Sequence, residues 1–225
     1  NMSVTFTPTA VGARGPVNLT ISDNTSTTPH VLVVSGTGTA GSPSVALSPS
    51  TPLTFAGQLV STTSAAQTVT VTNTGTAPLV FGTSAISITN DFTQTNTCNG
   101  ATVAIAATCT ISVSFAPSAT SNNPRTGTLS IADNATGSPQ TVALSGTGLD
   151  FTLTIPSTAS TTAGTTASVT VTIGASGGFT GQVTITCSGS IPQGSCTAPT
   201  ASITAPGTAT LTFMTSAQVA PPGSR

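Results

Sequence analysis

Residues 113–148 read VSFAPSATSNNPRTGTLSIADNATGSPQTVALSGTG, and residues 4–38 read VTFTPTAVGARGPVNLTISDNTSTTPHVLVVSGTG. The two stretches are copies of one another. Phe6 matches Phe115, Pro8 matches Pro117, Asp23-Asn24 matches Asp133-Asn134, and Gly36-Thr37-Gly38 matches Gly146-Thr147-Gly148. Inside each copy apolar and polar residues alternate, as in Leu129 and Ile131 and again in Val142 and Leu144, with Thr, Ser and Ala between them. Period two marks a half-buried strand. The period of the repeat, about 110 residues, is the size of an immunoglobulin-like domain. The expected fold is therefore all-β, with tandem immunoglobulin-like β-sandwich domains of which the first is incomplete.

Outward from the repeat the same alternation continues. Leu53 and Phe55 point one way. Val69 and Val71 face inward while Thr68, Thr70 and Thr72 face out, and Cys109, Ile111, Val113 and Phe115 share one face. Turn residues separate these runs: Asn73-Thr74-Gly75, Asn122-Asn123-Pro124, Asp133-Asn134 and Gly137-Ser138-Pro139. Residues 41–148 read as a complete domain, and residues 1–40 as the C-terminal strands of a first one. Residues 149–216 read as a shorter immunoglobulin-like domain, with alternation at Phe151, Leu153 and Ile155, at Val169, Val171 and Ile173, at Val183, Ile185 and Cys187, and at Leu211 and Phe213. Residues 217–225, AQVAPPGSR, read as a Pro/Gly tail.

Composition excludes several functions. The 225 residues include 51 Thr and 29 Ser, and no Lys, Glu, Trp or Tyr. The charged side chains are Arg14, Arg125 and Arg225 against Asp23, Asp91, Asp133 and Asp150, and His30 is the single histidine. Nucleic-acid binding draws on a basic surface, and three scattered Arg do not make one. Acid–base catalysis draws on side chains that are nearly missing here, so no enzyme activity, catalytic residue or cofactor is expected. The repeat places Gln140 where His30 stands, which reads His30 as a surface strand residue. Asp23 and Asp133 precede Asn, which is turn chemistry. No local group of carboxylates suits calcium, and no metal site is expected, a calcium shared across a domain junction through Asp150 being the alternative. The longest apolar runs, such as Val31-Leu32-Val33-Val34, fall far short of the about 20 residues of a membrane span. With so few titrating groups, stability should depend little on pH.

The stretches LTFAGQLVSTTSAAQTVTVTNTGTAPL, NDFTQTNTC, CTISVSFAP and GTLSIADNATGSPQTVALSGTG cover most of residues 43–148. Through them the chain resembles the Hydin-like (ASH-type) immunoglobulin-like repeats of bacterial choice-of-anchor D surface proteins. Residues 150–216, through GGFTGQVTITCSG, resemble a short bacterial immunoglobulin-like domain that often follows such repeats. The resemblance implies a long, secreted, cell-surface chain of stacked sandwiches and carries no catalytic residues.

The cysteines form two local pairs, Cys98 with Cys109 and Cys187 with Cys196, which suits disulfides in an oxidising compartment. Free structural thiols and a metal site are the alternatives, the latter wanting closer pairs that converge. Residues 1–40 hold strands around Val4–Phe6, Val17–Ile21 and Val31–Ser35, and alone they would leave one apolar face and open strand edges. Val4, Phe6, Leu19, Ile21, Val31 and Val33 are thus the candidate inter-subunit strand residues. The strands that complete them belong either to a longer repeat protein or to a neighbouring subunit, as in pili. The expected function is that of an extracellular structural protein, a subunit or segment of a cell-surface filament or stalk that self-associates. The alternative is an adhesin or glycan-binding module, for which the aromatic platforms are limited to Phe.

Overall fold

Thr and Val fill the strand stretches, and β-branched side chains suit a pleated surface. The computed structural model describes residues 1–27, 29–188, 191 and 193–217, and among these it holds seventeen strands and no helix. The first two, β1 (Gly12–Ile21) and β2 (His30–Gly38), form an antiparallel hairpin.

Residues 43–148 build two facing sheets. One has the order β3 (Val45–Ser48), β5 (Gln67–Asn73), β10 (Thr108–Phe115) and β8 (Phe92–Asn96). The other runs β4 (Leu53–Leu59), β12 (Gln140–Thr154), β11 (Arg125–Ile131) and β7 (Ile86–Ile88), with β4 parallel to β12 and the other pairs antiparallel. A small ribbon of β6 (Leu79–Val80) and β9 (Thr102–Val103) lies beside them. The inward positions expected from the alternation are the core: Val69, Val71, Ile111, Val113, Phe115, Leu129 and Ile131 are completely buried. Each such side chain contributes about 1.5–3 kcal/mol relative to exposure. Phe55, Phe92 and Phe115 cluster with ring centroids 5.0–6.1 Å apart. Two close approaches need glycine. A Cβ on Gly146 would stand 2.6 Å from the Phe115 ring, and one on Gly148 would stand 2.4 Å from the Ala119 carbonyl oxygen.

Asn73, expected as a turn residue, is the buried polar side chain of this core. Its Nδ2 donates to the carbonyls of Ala77 (2.9 Å) and Val103 (3.0 Å), and its Oδ1 accepts from the Gly75 amide (3.0 Å). The amide side chain is thus fully satisfied and ties the 73–77 turn to β9.

Residues 149–216 add β13 (Thr166–Ser176), β17 (Gly207–Thr215) and β15 (Gly194–Thr197) to the end of β12, while β14 (Gln182–Val183) and β16 (Ile203–Thr204) pair as a ribbon. Val169, Val171, Ile173 and Leu211 are buried as their alternation predicts. Phe151, Leu153 and Ile155 are instead exposed, because they lie at or beyond the end of the edge strand; Phe151 keeps a ring contact, stacked on Phe179 at 5.6 Å. Of the expected tail, residues 218–225 lie outside the described residues.

Candidate functional site

Two features stand out: the open face of the hairpin and the junction carried by β12. In the hairpin Leu19 pairs with Leu32 and Val17 with Val34. The matching pairs in the closed copy are Leu129 with Val142 and Gly127 with Leu144. Phe6 lies over Gly36 as Phe115 lies over Gly146, and a Cβ on Gly36 would meet the Phe6 ring at 2.7 Å. The local packing repeats, but the environment does not: Phe6 is 49% exposed and Phe115 is 0% exposed.

This geometry corrects two expectations. Val4 and Phe6 are not in a strand. Their counterparts in β10 hydrogen-bond to both β5 and β8, and no such neighbours flank residues 1–9 among the described residues. Val31 and Val33 do not share a face with Leu19 and Ile21. They stand opposite Thr20 and Asn18, so the inner face of β2 is Leu32 and Val34. A strand's period of two makes that one-residue shift a change of face.

At the junction β12 crosses without a break. Up to Leu149 it pairs with β11 and β4, and from Asp150 to Thr154 it pairs with β13. The Asn123 side chain clamps the crossing point. Its Nδ2 donates to the Gly148 carbonyl (2.9 Å), and its Oδ1 accepts from the Gly148 amide (3.0 Å). Val60 N donates to the Leu149 carbonyl (2.9 Å), while the Leu149 side chain packs with Ile173, Phe179 and Val183 on the far side. Thr120 Oγ1 and Ser176 Oγ lie 2.6 Å apart across the junction. Gly177 (φ +66°) sits against the Gly148 carbonyl, where a Cβ would come within 1.9 Å of the oxygen. The sequence marks Asn122-Asn123-Pro124 as a turn; nothing in it signals that this turn and Gly177 meet at Gly148.

The scarce charges serve the fold. Arg125 Nε donates to Asp91 Oδ2, its guanidinium reaches Ser121 O (3.0 Å) and Ser118 Oγ (3.2 Å), and Ser118 donates to Asp91 Oδ1 (2.8 Å). The group staples β8 to β11 across the two sheets. The Arg125 hydrogen bond holds the Asp91 carboxyl below the usual carboxylate range. Asp23 and Asp133 make the expected turns, accepting from the amides of Thr25 (2.8 Å) and Ala135 (2.7 Å). His30 Nε2 lies 3.1 Å from Asp23 Oδ2, and in the other copy the Gln140 amide nitrogen, oriented as its neighbours require, lies 2.6 Å from Asp133 Oδ2. Thr25 lowers the Asp23 pKa, and burial raises that of Asp133. Disulfides join Cys98 to Cys109, both buried, and Cys187 to Cys196. Asp150 accepts from the Phe151 amide (2.8 Å), and among the described residues no three His, Cys or Asp side chains gather as metal ligands.

The class these features define is an all-β chain built around an immunoglobulin-like sandwich. Residues 43–141 match the family "ASH: Abnormal spindle-like microcephaly-assoc'd, ASPM-SPD-2-Hydin". That interval is the two-sheet unit from β3 into β12. No curated protein matches the chain. Among solved structures it is similar to a protein of unknown function from Porphyromonas gingivalis W83, at 14% identity over 62% of this chain and 67% of that one, with a TM-score of 0.40. It is also similar to domains 4–9 of the surface layer protein SbsC, at 11% identity over 83% of this chain, with a TM-score of 0.31. The similarity covers 29% of that SbsC structure.

Proposed function

We propose that this chain is an extracellular structural segment, a length of cell-surface stalk or filament made of stacked immunoglobulin-like sandwiches. The observation that carries the reading is β12, a single strand of 15 residues that leaves one unit and enters the next with no linker between them. A flexible tether would leave the junction free, whereas here it is held by Asn123, Gly177 and the Thr120–Ser176 contact. The role is mechanical and non-catalytic. Disulfides suit an oxidising exterior. A neutral surface limits self-repulsion between stacked units. The likeness to choice-of-anchor D surface proteins belongs with this reading, as does the completion of the open hairpin by strands from outside it, including a neighbouring subunit's. Electron microscopy of native surface material, labelled with an antibody to this chain, tests the proposal. Label along thin rods or filaments supports it; label only on globular soluble particles contradicts it.

A further inference from the structure

In the closed copy of the internal repeat, the face equivalent to the open hairpin is covered. Residues 1–6, NMSVTF, stand where residues 110–115, TISVSF, stand in β10. In the closed copy the free edge of β12 is filled by β4 running parallel, with Leu144 beside Leu53, Ser145 beside Thr54, Gly146 beside Phe55 and Gly148 beside Gln58. Phe55 there packs on Phe115 with ring centroids 6.1 Å apart. The counterparts on β2 are Val34, Ser35, Gly36 and Gly38, and among the described residues β2 pairs only with β1. Beside that edge runs a groove of about 280 Å³ lined by Val4, Phe6, Arg14, Val17, Leu19 and Val34. An overwhelmingly apolar groove next to an unpaired strand edge fits a strand with one apolar face rather than a sugar or an anion.

We propose that the open edge of β2 accepts one parallel strand of the pattern Leu-x-Phe, a strand of the β4 type, whose Phe enters the groove and packs on Phe6. The pattern differs from β4 itself at one place. Gly57 in β4 leaves room for the Leu149 side chain, whose flexible end a Cβ there would crowd at 2.9 Å. The residue at the Leu149 position of the hairpin is Thr39, which is shorter, so the accepted strand does not need that glycine. This proposal deepens the stalk reading and rests on it for a supply of such strands.

The test joins a second copy of residues 41–109 directly ahead of Asn1 of the full chain and follows amide hydrogen exchange at Val34–Gly38. Exchange there should slow on the order of a hundredfold relative to the unmodified chain, as expected for amides moving from a frayed edge into a closed sandwich. Phe55→Ser in the added copy should remove that protection, and Phe55→Leu should keep most of it. Unchanged exchange at Val34–Gly38 while the added copy forms its own disulfide would overturn the proposal. So would an added copy that fails to fold, because the hairpin is what completes its sandwich. A third contrary outcome is slow, concentration-dependent exchange in the unmodified chain, which would assign the face to a second copy's hairpin. None of these results bears on whether the unmodified chain lies in rods, so a failure here is separable from a failure of the stalk reading.

Discussion

Gly146 and Gly36 offer a matched pair of perturbations. Each faces a phenylalanine ring at nearly the same distances. A Cβ on Gly146 would meet Phe115 at 2.6, 2.7 and 2.9 Å, and a Cβ on Gly36 would meet Phe6 at 2.7, 2.7 and 2.9 Å. The difference lies in what each ring can do next. Phe115 is completely buried and wedged by Phe92, with centroids 5.0 Å apart, and by Phe55. Phe6 is 49% exposed and can swing away. Overpacking a closed core costs about 1–3 kcal/mol, and replacing a strand glycine by alanine returns about 0.5–1 kcal/mol of backbone entropy. Gly146→Ala should therefore destabilise by up to about 2.5 kcal/mol, while Gly36→Ala should be neutral or stabilise by up to about 1 kcal/mol. Urea titrations report the difference as a midpoint shift at constant slope. The probe must be far-UV circular dichroism, because the chain has no Trp or Tyr. Equal midpoints for the two variants would refute the reasoning, because they would mean that the Phe115 ring is no more confined than that of Phe6.

Other consequences follow from the same structure. Asn73→Leu strands the buried Val103 carbonyl and the half-buried Ala77 carbonyl and Gly75 amide, and at about 1–3 kcal/mol for an unpaired buried group it should cost about 2 kcal/mol or more in urea titrations; a cost below about 1 kcal/mol would mean that water replaces the bonds. Reducing Cys98–Cys109, whose cysteines are 11 residues apart, should lower stability by up to about 3 kcal/mol and so lower the melting temperature; an unchanged melting temperature after verified reduction counts against a structural role. The acid limb should follow Asp91. Its lowered pKa contributes stability that is present above the unfolded value of about 3.9 and is lost as pH falls through the folded value, whereas the raised pKa of Asp133 contributes stability below about 3.9 that is lost as pH rises through its folded value. The two oppose each other, so Asp91→Asn should reduce the fall of the urea midpoint on acidification, while Asp133→Asn should enlarge it.

The alternation made the closed sandwich legible. Leu129, Ile131, Val142 and Leu144 lie buried where period two puts them, and so do Val69, Val71 and Ile111. Local cysteine spacing likewise pointed to both cross-links. Long-range meetings left no such trace. Nothing in the order of residues says that Asn123 will bracket Gly148 or that Arg125 will reach Asp91. The hairpin misled for a different reason. Val31-Leu32-Val33-Val34 is apolar on both faces, so period two does not say which side is inner. Only the register with Leu19 selects Leu32 and Val34. Phe151 and Leu153 alternate like core residues, but burial depends on whether a second layer reaches the edge strand.

The stalk reading requires that the junction at Gly148 be stiff. Residual dipolar couplings measured on the whole chain, for amides of residues 45–147 and of residues 166–215 in the same aligned sample, test this directly. One alignment tensor of common magnitude and orientation should fit both sets, and Gly177→Ala, which forces a Cβ against the Gly148 carbonyl, should split them. Two independent tensors in the unmodified chain, with a weaker one for residues 166–215, would show a free hinge and contradict the account.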